Sequence, residues 1–217
     1  MLTFVKKDFS LHRWSTYIGI AVFLFLAYFI TLPSTFIFVV CLFALFLPVF
    51  YDDAEHKVNR YFISTPVKKE VILTSRYLFS VLIILMILVM QLGIMVLLEP
   101  LKGGTLYIYN WKDIFVLFCI GCTIIAISIP IITLFNSINL SFGIILALFG
   151  AGNTLLIIEL FNVLHMEDEI LLNDLDGGFI LLVEKYLPFQ PYIMLGIITA
   201  IILLASWFVT LKLFNRK

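Results

Sequence analysis

Long apolar runs separated by short charged segments dominate the pattern of this 217-residue chain. Six runs can be drawn, each close to the roughly 20 residues that an α-helix needs to cross the hydrocarbon core of a bilayer. They cover residues 15–32, 34–51, 76–98, 113–135, 140–161 and 191–214. The pattern predicts an all-α integral membrane protein with six transmembrane helices, built as a single domain over residues 1–217.

Composition supports a chain that is solvated by lipid. Hydrophobic residues make up 63% of the positions, charged residues only 13%, and the mean hydropathy is +1.14. A soluble domain of this length needs a largely polar surface, which this composition does not provide. The net charge of +0 implies no bulk attraction to nucleic acid.

The positions of the basic residues predict the orientation. With a cytoplasmic N-terminus, the inner segments hold all but three of the 14 lysines and arginines, the exceptions being Lys102, Lys112 and Lys185. Cytoplasmic loops carry such an excess of basic residues. Both termini are therefore expected in the cytoplasm of a multi-pass protein of the plasma membrane.

Three segments outside the predicted spans have a character of their own. Residues 1–14 are basic and partly apolar, which suits a helix lying in the membrane interface. Residues 52–65 belong to the largest inner loop. Residues 162–190 form the largest outer segment, with six acidic residues and one lysine. Ordinary solvated charge explains that acidity, and an acidic exit for a cationic peptide is the alternative.

Signatures of catalysis are missing from the chain. No glycine precedes a lysine, so there is no phosphate-binding loop, and there is no H-E-x-x-H motif. Cys119 and Cys122 have the spacing of half a metal site, but their apolar surroundings favour helix packing. We therefore expect no catalytic residue, no metal and no cofactor bound by this chain.

A few polar and small residues inside the spans are candidates for function. Gln91, Asn153 and Glu159 are interpreted either as helix-packing or interfacial groups or as part of a substrate path, because polar groups in lipid are costly. A stripe of small residues every four positions would let another helix approach, within one subunit or in a dimer. It consists of Asn139, Gly143, Ala147 and Ala151.

The inner loop is the most informative segment. Acidic residues come first, from Asp52 to Glu55, and basic residues follow up to Lys69, as the helix dipole favours for a short helix. Thr65 and Pro66 resemble the cap and first turn of the next helix. A helix from Pro66 to Leu98 would be about 50 Å long and would project beyond the hydrocarbon core. A solvated charged loop is the alternative interpretation.

This loop resembles that of permease subunits of the ABC-2 transporter type. The matching positions are Asp53, Arg60, Tyr61, Ser64, Pro66, Lys69, Ser75, Arg76 and Tyr77. Lys69 stands where the family usually has arginine, and Arg76 stands where it usually has lysine. Val58 stands where an aromatic residue is common. The resemblance extends to the six-span layout and is greatest for exporters of amphipathic peptides, such as the phenol-soluble modulin exporters.

The resemblance implies a complete transport machine around this chain. Two permeases, identical or related, would work with two cytoplasmic ATPase subunits that bind ATP and Mg²⁺. Residues 1–14 would form an elbow helix, residues 52–65 a coupling helix held by the ATPase, and residues 162–190 a partly re-entrant segment. The residues expected to couple to the ATPase are Asp52, Asp53, Glu55, Arg60, Tyr61, Pro66, Lys69 and Arg76.

Function is accordingly predicted as export of amphipathic or antimicrobial-type peptides, with ATP hydrolysis in the partner subunit. An immunity or regulatory membrane protein, which binds a toxin or a sensor without transport, is the alternative.

Overall fold

The computed structural model describes residues 5, 14–30, 32, 34–55, 68–102, 108–135, 137–164, 180–187 and 189–216. Helices form nearly all of this part of the chain, and it contains no strand. A single 3-10 turn, Pro100–Lys102, follows the third helix. The helices are α1 (Trp14–Phe29), α2 (Ser34–Glu55), α3 (Lys69–Leu98), α4 (Trp111–Leu134), α5 (Ile138–Leu164), α6 (Leu181–Tyr186) and α7 (Pro191–Arg216).

The described helices contain four that are long and apolar enough to cross a membrane. These stretches are Ser34–Tyr51, Lys69–Leu98, Trp111–Leu134 and Pro191–Phe214. The other two predicted spans fall on shorter apolar helices, Trp14–Phe29 and Asn139–Gly152. The helical, multi-pass character of the prediction is therefore confirmed, whereas its count of six spans stays a prediction.

Helix α3 begins at a different residue from the one that the sequence suggested. Its first residue is Lys69, and Lys68 occupies the cap position with an extended backbone and no capping side chain. Thr65 is therefore not the cap of this helix. With 30 residues, α3 is about 45 Å long and exceeds the thickness of a hydrocarbon core.

Three predicted segments lie largely outside the described residues. Within 1–14 only residues 5 and 14 are described, so the elbow helix is not tested. Residues 52–55 continue α2, and the rest of the predicted coupling helix is not described. Within 162–190, residues 162–164 end α5 and Leu181–Tyr186 forms α6.

Contacts at the two ends of the bundle show that the helices alternate in direction. At one end, which we call the basic end, Lys69 at the start of α3 meets Phe214 near the end of α7. At the other, which we call the aromatic end, Tyr28 of α1 meets Tyr109 just before α4. The end of α2 also lies beside the start of α3, because Arg76 of α3 contacts the ring of Phe50.

The core of the bundle lies where α4 packs against α2, α3 and α7. Gly121 is the most crowded of the described glycines: a Cβ placed there would lie 2.9 Å from Cζ of Phe38 and 3.0 Å from Cδ1 of Ile84. Both neighbours are fully buried. The three helices therefore meet at Gly121 because this residue has no side chain.

The cysteines belong to this core. Cys41, Cys119 and Cys122 are buried and form no disulfide. The described residues also contain no group of three His, Cys, Asp or Glu side chains that would hold a metal ion. All three are fully or almost fully buried, and their role as packing residues stays a prediction.

Candidate coupling site at the basic end

The basic end holds those predicted coupling residues whose side chains the structure describes. Asp52, Asp53 and Glu55 are the last residues of α2, although their side chains are not described. Arg60, Tyr61 and Pro66 lie outside the described residues. Of the predicted set, the structure therefore describes the side chains of Lys69 and Arg76 alone.

Lys69 ties the start of α3 to the end of α7. Its Nζ donates to the carbonyl oxygen of Phe214 at 3.2 Å and stands 5.7 Å from the centre of the Phe214 ring. The last carbonyls of a helix have no partner within the helix and carry the negative end of its dipole, so a lysine is favourable there.

Arg76 ties the same helix to α2. Its guanidinium lies 5.3 Å from the centre of the Phe50 ring, one residue before Tyr51. Arginine stacks favourably over an aromatic face. Because Lys69 and Arg76 are two helical turns apart, α3 contacts α7 and α2 through residues on one side of its first three turns.

A buried network of hydroxyl groups joins α3, α4 and α7 next to these contacts. Pro130 lacks an N–H, so the carbonyl of Ala126, four residues earlier, loses its helical donor. Ser206 Oγ of α7 donates to that carbonyl at 2.5 Å. The carbonyl that proline leaves free is thus satisfied from a neighbouring helix, as proline-containing membrane helices require.

Tyr77 completes the network from α3. Its hydroxyl lies 2.6 Å from Ser206 Oγ and 3.1 Å from Thr210 Oγ1. Since the Ser206 proton is donated to Ala126, the tyrosine must be the donor to Ser206. Nearby, Trp207 Nε1 donates to Thr74 Oγ1 at 3.2 Å. We refer to Tyr77, Ser206, Thr210 and the Ala126 carbonyl as the hydroxyl network.

Sequence reasoning found Tyr77 through the family pattern but missed Ser206 and Thr210. One signal was available: a proline inside an apolar helix predicts an acceptor four residues earlier that needs an external donor. The identity of that donor depends on how α4 and α7 pack, which the sequence does not show.

The stripe on α5 is exposed along its whole described length. Asn139, Gly143, Ala147 and Ala151 are all accessible, and a Cβ built on Gly143 would meet nothing within 4 Å. The two interpretations of the stripe, packing within one subunit and a contact with a second subunit, both stay predictions.

A lateral groove separates the first half of α5 from α2. It encloses about 450 Å³ and is lined by Phe43, Ala44, Leu47, Pro48, Tyr51, Asn139 and Phe142. Among the described residues, Phe43 of α2 and Phe149 of α5 form an aromatic contact between the two helices, with ring centres 5.4 Å apart.

The three candidates for a substrate path have different outcomes. Gln91 is fully buried on α3. Asn153 and Glu159 lie on α5, and their side chains are not described. The structure does not bring the three together in a described site, so a path through them stays a prediction.

The aromatic end carries a charged contact. Lys112 Nζ lies 3.2 Å from Glu184 Oε1, and Tyr192 donates to the same oxygen at 2.8 Å. These hydrogen bonds from Tyr192 and Lys112 lower the pKa of Glu184. Burial raises the pKa of Tyr109, also at this end, to about 12, so its hydroxyl keeps its proton.

Comparison with known families accounts for almost the whole chain. The model of the ABC-2 family transporter protein matches residues 3–215. No curated protein and no solved structure matches the chain. A match of this extent covers every described helix, including those that form the basic end. The chain belongs to the ABC-2 family of transporter proteins.

Proposed function

We propose that this chain is the permease of an ATP-driven exporter of amphipathic peptides and that its basic end receives the motion of a cytoplasmic ATPase. The family is a membrane transport component that works with an ATPase subunit. Within that frame, the coupling site, the substrate and the orientation are our proposals.

The observation that carries the coupling proposal is the pair of contacts made by the first turns of α3. Along the chain, residues 56–67 connect the end of α2 to Lys68, the residue before α3. Lys69 joins α3 to the end of α7, and Arg76 joins it to Phe50 of α2. A displacement of this loop therefore acts on three helices at once.

The hydroxyl network would carry that displacement onward to α4. Tyr77 lies one residue after Arg76 and bonds to Ser206, which bonds to the Ala126 carbonyl of α4. Hydrogen bonds buried in an apolar interior are costly to leave unmade, so the joined helices should move together.

Orientation and assembly follow from the same picture. We assign the basic end, with both termini, to the cytoplasm because lysine and arginine collect there. The exposed stripe on α5 would contact a second permease, identical or related. The acidic outer segment would then favour release of cationic amphipathic peptides.

Stimulation of ATPase activity tests the coupling proposal. The ATPase subunit should co-purify with the chain, and its ATP hydrolysis should rise on assembly. We expect Lys69→Met and Arg76→Met to abolish most of that rise while leaving the complex assembled. Lys212→Met is a matched control, because Lys212 is an exposed lysine near the end of α7. Normal stimulation in the Lys69 and Arg76 variants would refute this coupling site.

The substrate class needs a separate measurement. Reconstituted complexes should hydrolyse ATP faster with a cationic amphipathic helical peptide than with a peptide of the same composition whose apolar face is scrambled. Equal responses to the two peptides would refute amphipathic-peptide export. A chain that binds a toxin tightly, with no ATPase attached, would instead support the immunity or regulatory function.

A further inference from the structure

Gln91 is a polar side chain enclosed in the apolar interior of the bundle. It lies on the buried stripe of α3, between Leu88 and Met95, and none of its surface is exposed. Neither its Nε2 nor its Oε1 has a hydrogen-bond partner among the described residues. Other polar residues on this helix differ: Ser80, equally buried, donates to the carbonyl of Arg76 at 2.8 Å.

A buried amide without hydrogen bonds raises the free energy of the helix arrangement that encloses it. A carboxamide has two donors and two acceptor lone pairs, and transferring it to an apolar medium without hydrogen bonds is costly. Substitution by an apolar residue of similar size would remove the penalty at once. A glutamine here is therefore explained if another arrangement of the bundle lets it form hydrogen bonds.

Of the two ends of the bundle, the aromatic end is the nearer to Gln91. The residue is seven positions before the end of α3, a distance of about 10 Å along the helix axis. At that end the hydroxyls of Tyr28 and Tyr109 are 2.9 Å apart and buried. Ser34, at the start of α2, interacts with both. This contact joins the turn between α1 and α2 to the segment that enters α4.

We propose that the aromatic end opens at the Tyr28–Tyr109 contact and that Gln91 is the hydrogen-bonding site which this opening uncovers. The described arrangement is then the closed one. The contact is suited to part and re-form, because it is a hydrogen bond between two neutral hydroxyls, which water can replace. The proposal does not depend on the ATPase or on the identity of the substrate.

Thermal stability tests the penalty at Gln91. We expect Gln91→Leu to raise the Tm of the purified chain by roughly 2–6 °C, since an enclosed amide is removed and the apolar packing is kept. Ser80→Ala is the matched control on the same helix, and it should give no such rise because Ser80 already has a partner. A Tm that falls in Gln91→Leu would overturn the proposal.

Cysteine labelling tests the opening itself. In a chain carrying Cys41→Ala, Cys119→Ala and Cys122→Ala, we expect Gln91→Cys to react slowly with a water-soluble maleimide. Adding Tyr28→Phe should speed that reaction several-fold, because the contact with Tyr109 is lost. Ser80→Cys, equally buried but toward the basic end, should stay unreactive in both backgrounds.

The labelling result has two outcomes that would overturn the proposal. If Tyr28→Phe leaves the reactivity of Gln91→Cys unchanged, the contact does not control access. If it accelerates Ser80→Cys to the same degree, the bundle unfolds as a whole instead of opening at one end. Both measurements use the permease alone, so a failed test of ATPase coupling would not affect them.

Discussion

Helices α4 and α5 follow each other along the chain with only residues 135–137 between them, yet their surroundings are opposite. α4 is enclosed by α2, α3 and α7, and its Gly121 leaves no room for a side chain. α5 packs mainly against α2 and α4 among the described helices, and an added Cβ at Gly143, Gly150 or Gly152 would meet nothing within 4 Å.

The difference shows that glycines in two equally apolar helices lie in different surroundings. In α4 the missing side chain permits a close approach within the subunit. In α5 the described glycines have open space beside them. Composition does not separate the two, because both helices are rich in apolar residues and both contain glycine. Identical substitutions in the two helices should therefore have very different effects.

Gly121→Leu should have the largest effect. The new side chain would begin 2.9 Å from Phe38 Cζ and 3.0 Å from Ile84 Cδ1, so it must displace two side chains that are fully buried. Overpacking of this kind costs about 3 kcal/mol. We expect a strongly lowered Tm or loss of folded protein, measured by size-exclusion chromatography after heating. A Tm equal to that of the unmodified chain would mean that α4 is not enclosed as described.

Ser206→Ala should have the next largest effect. It removes the donor to the Ala126 carbonyl and the acceptor of the Tyr77 proton, leaving two buried polar groups without that partner. The expected loss is about 1–3 kcal/mol, or a Tm lower by several degrees. Ser141→Ala is the matched control, because the equally buried Ser141 hydroxyl donates to the carbonyl of Ser137, four residues earlier in the same segment. Equal Tm values for the two variants would contradict the role of the hydroxyl network.

Acidification should have a small effect at the start of α4. The pKa of Glu184 is lowered from 4.5 in the folded chain, so its contact with Lys112 stabilises above the ordinary pKa and is lost as pH falls through the lowered value. The Tm of the unmodified chain should therefore decline slightly below about pH 4.5, and Glu184→Gln should lack this part of the decline. Both side chains are well exposed, so the contribution is small. Identical profiles would show that the contact adds nothing.

Gly143→Leu should have the smallest effect on the isolated chain. A Cβ added at this position would meet nothing within 4 Å, so the free energy of unfolding should change by no more than about 0.5 kcal/mol. The change in Tm should be correspondingly small. Association of two permeases, measured by cross-linking in membranes, should weaken if the stripe on α5 is their contact. A destabilised single chain would show that α5 is packed within the subunit after all, and normal association would place the contact elsewhere.

Much of the fold followed from the sequence because lipid imposes simple rules on it. The boundaries of α2, α4 and α7 were predicted within a few residues, since apolar runs of the required length end at charged or proline-containing segments. The start of α3 was predicted three residues too early. Thr65 and Pro66 have the chemistry of a helix start, but a preferred cap residue is only a weak local signal.

The candidate site was predicted less completely. The family pattern pointed to Lys69, Arg76 and Tyr77, and all three make contacts with other helices at the basic end. Their partners Phe50, Ser206 and Phe214 carry no signal of their own. A serine or a phenylalanine within an apolar helix is ordinary, and only the packing of helices distant in sequence gives it a function.

The sequence alone determined that this is a helical membrane protein, where most of its helices lie and which loop residues to inspect, because hydrophobic length and charge placement depend on the solvent and not on neighbouring helices. The tertiary structure decided which faces are enclosed. It separated the crowded glycine of α4 from the open glycines of α5, supplied Ser206 to the carbonyl freed by Pro130, and left the amide of Gln91 without a partner among the described residues. Those outcomes depend on how the helices are aligned against one another. Apolar surfaces of similar composition do not determine that alignment.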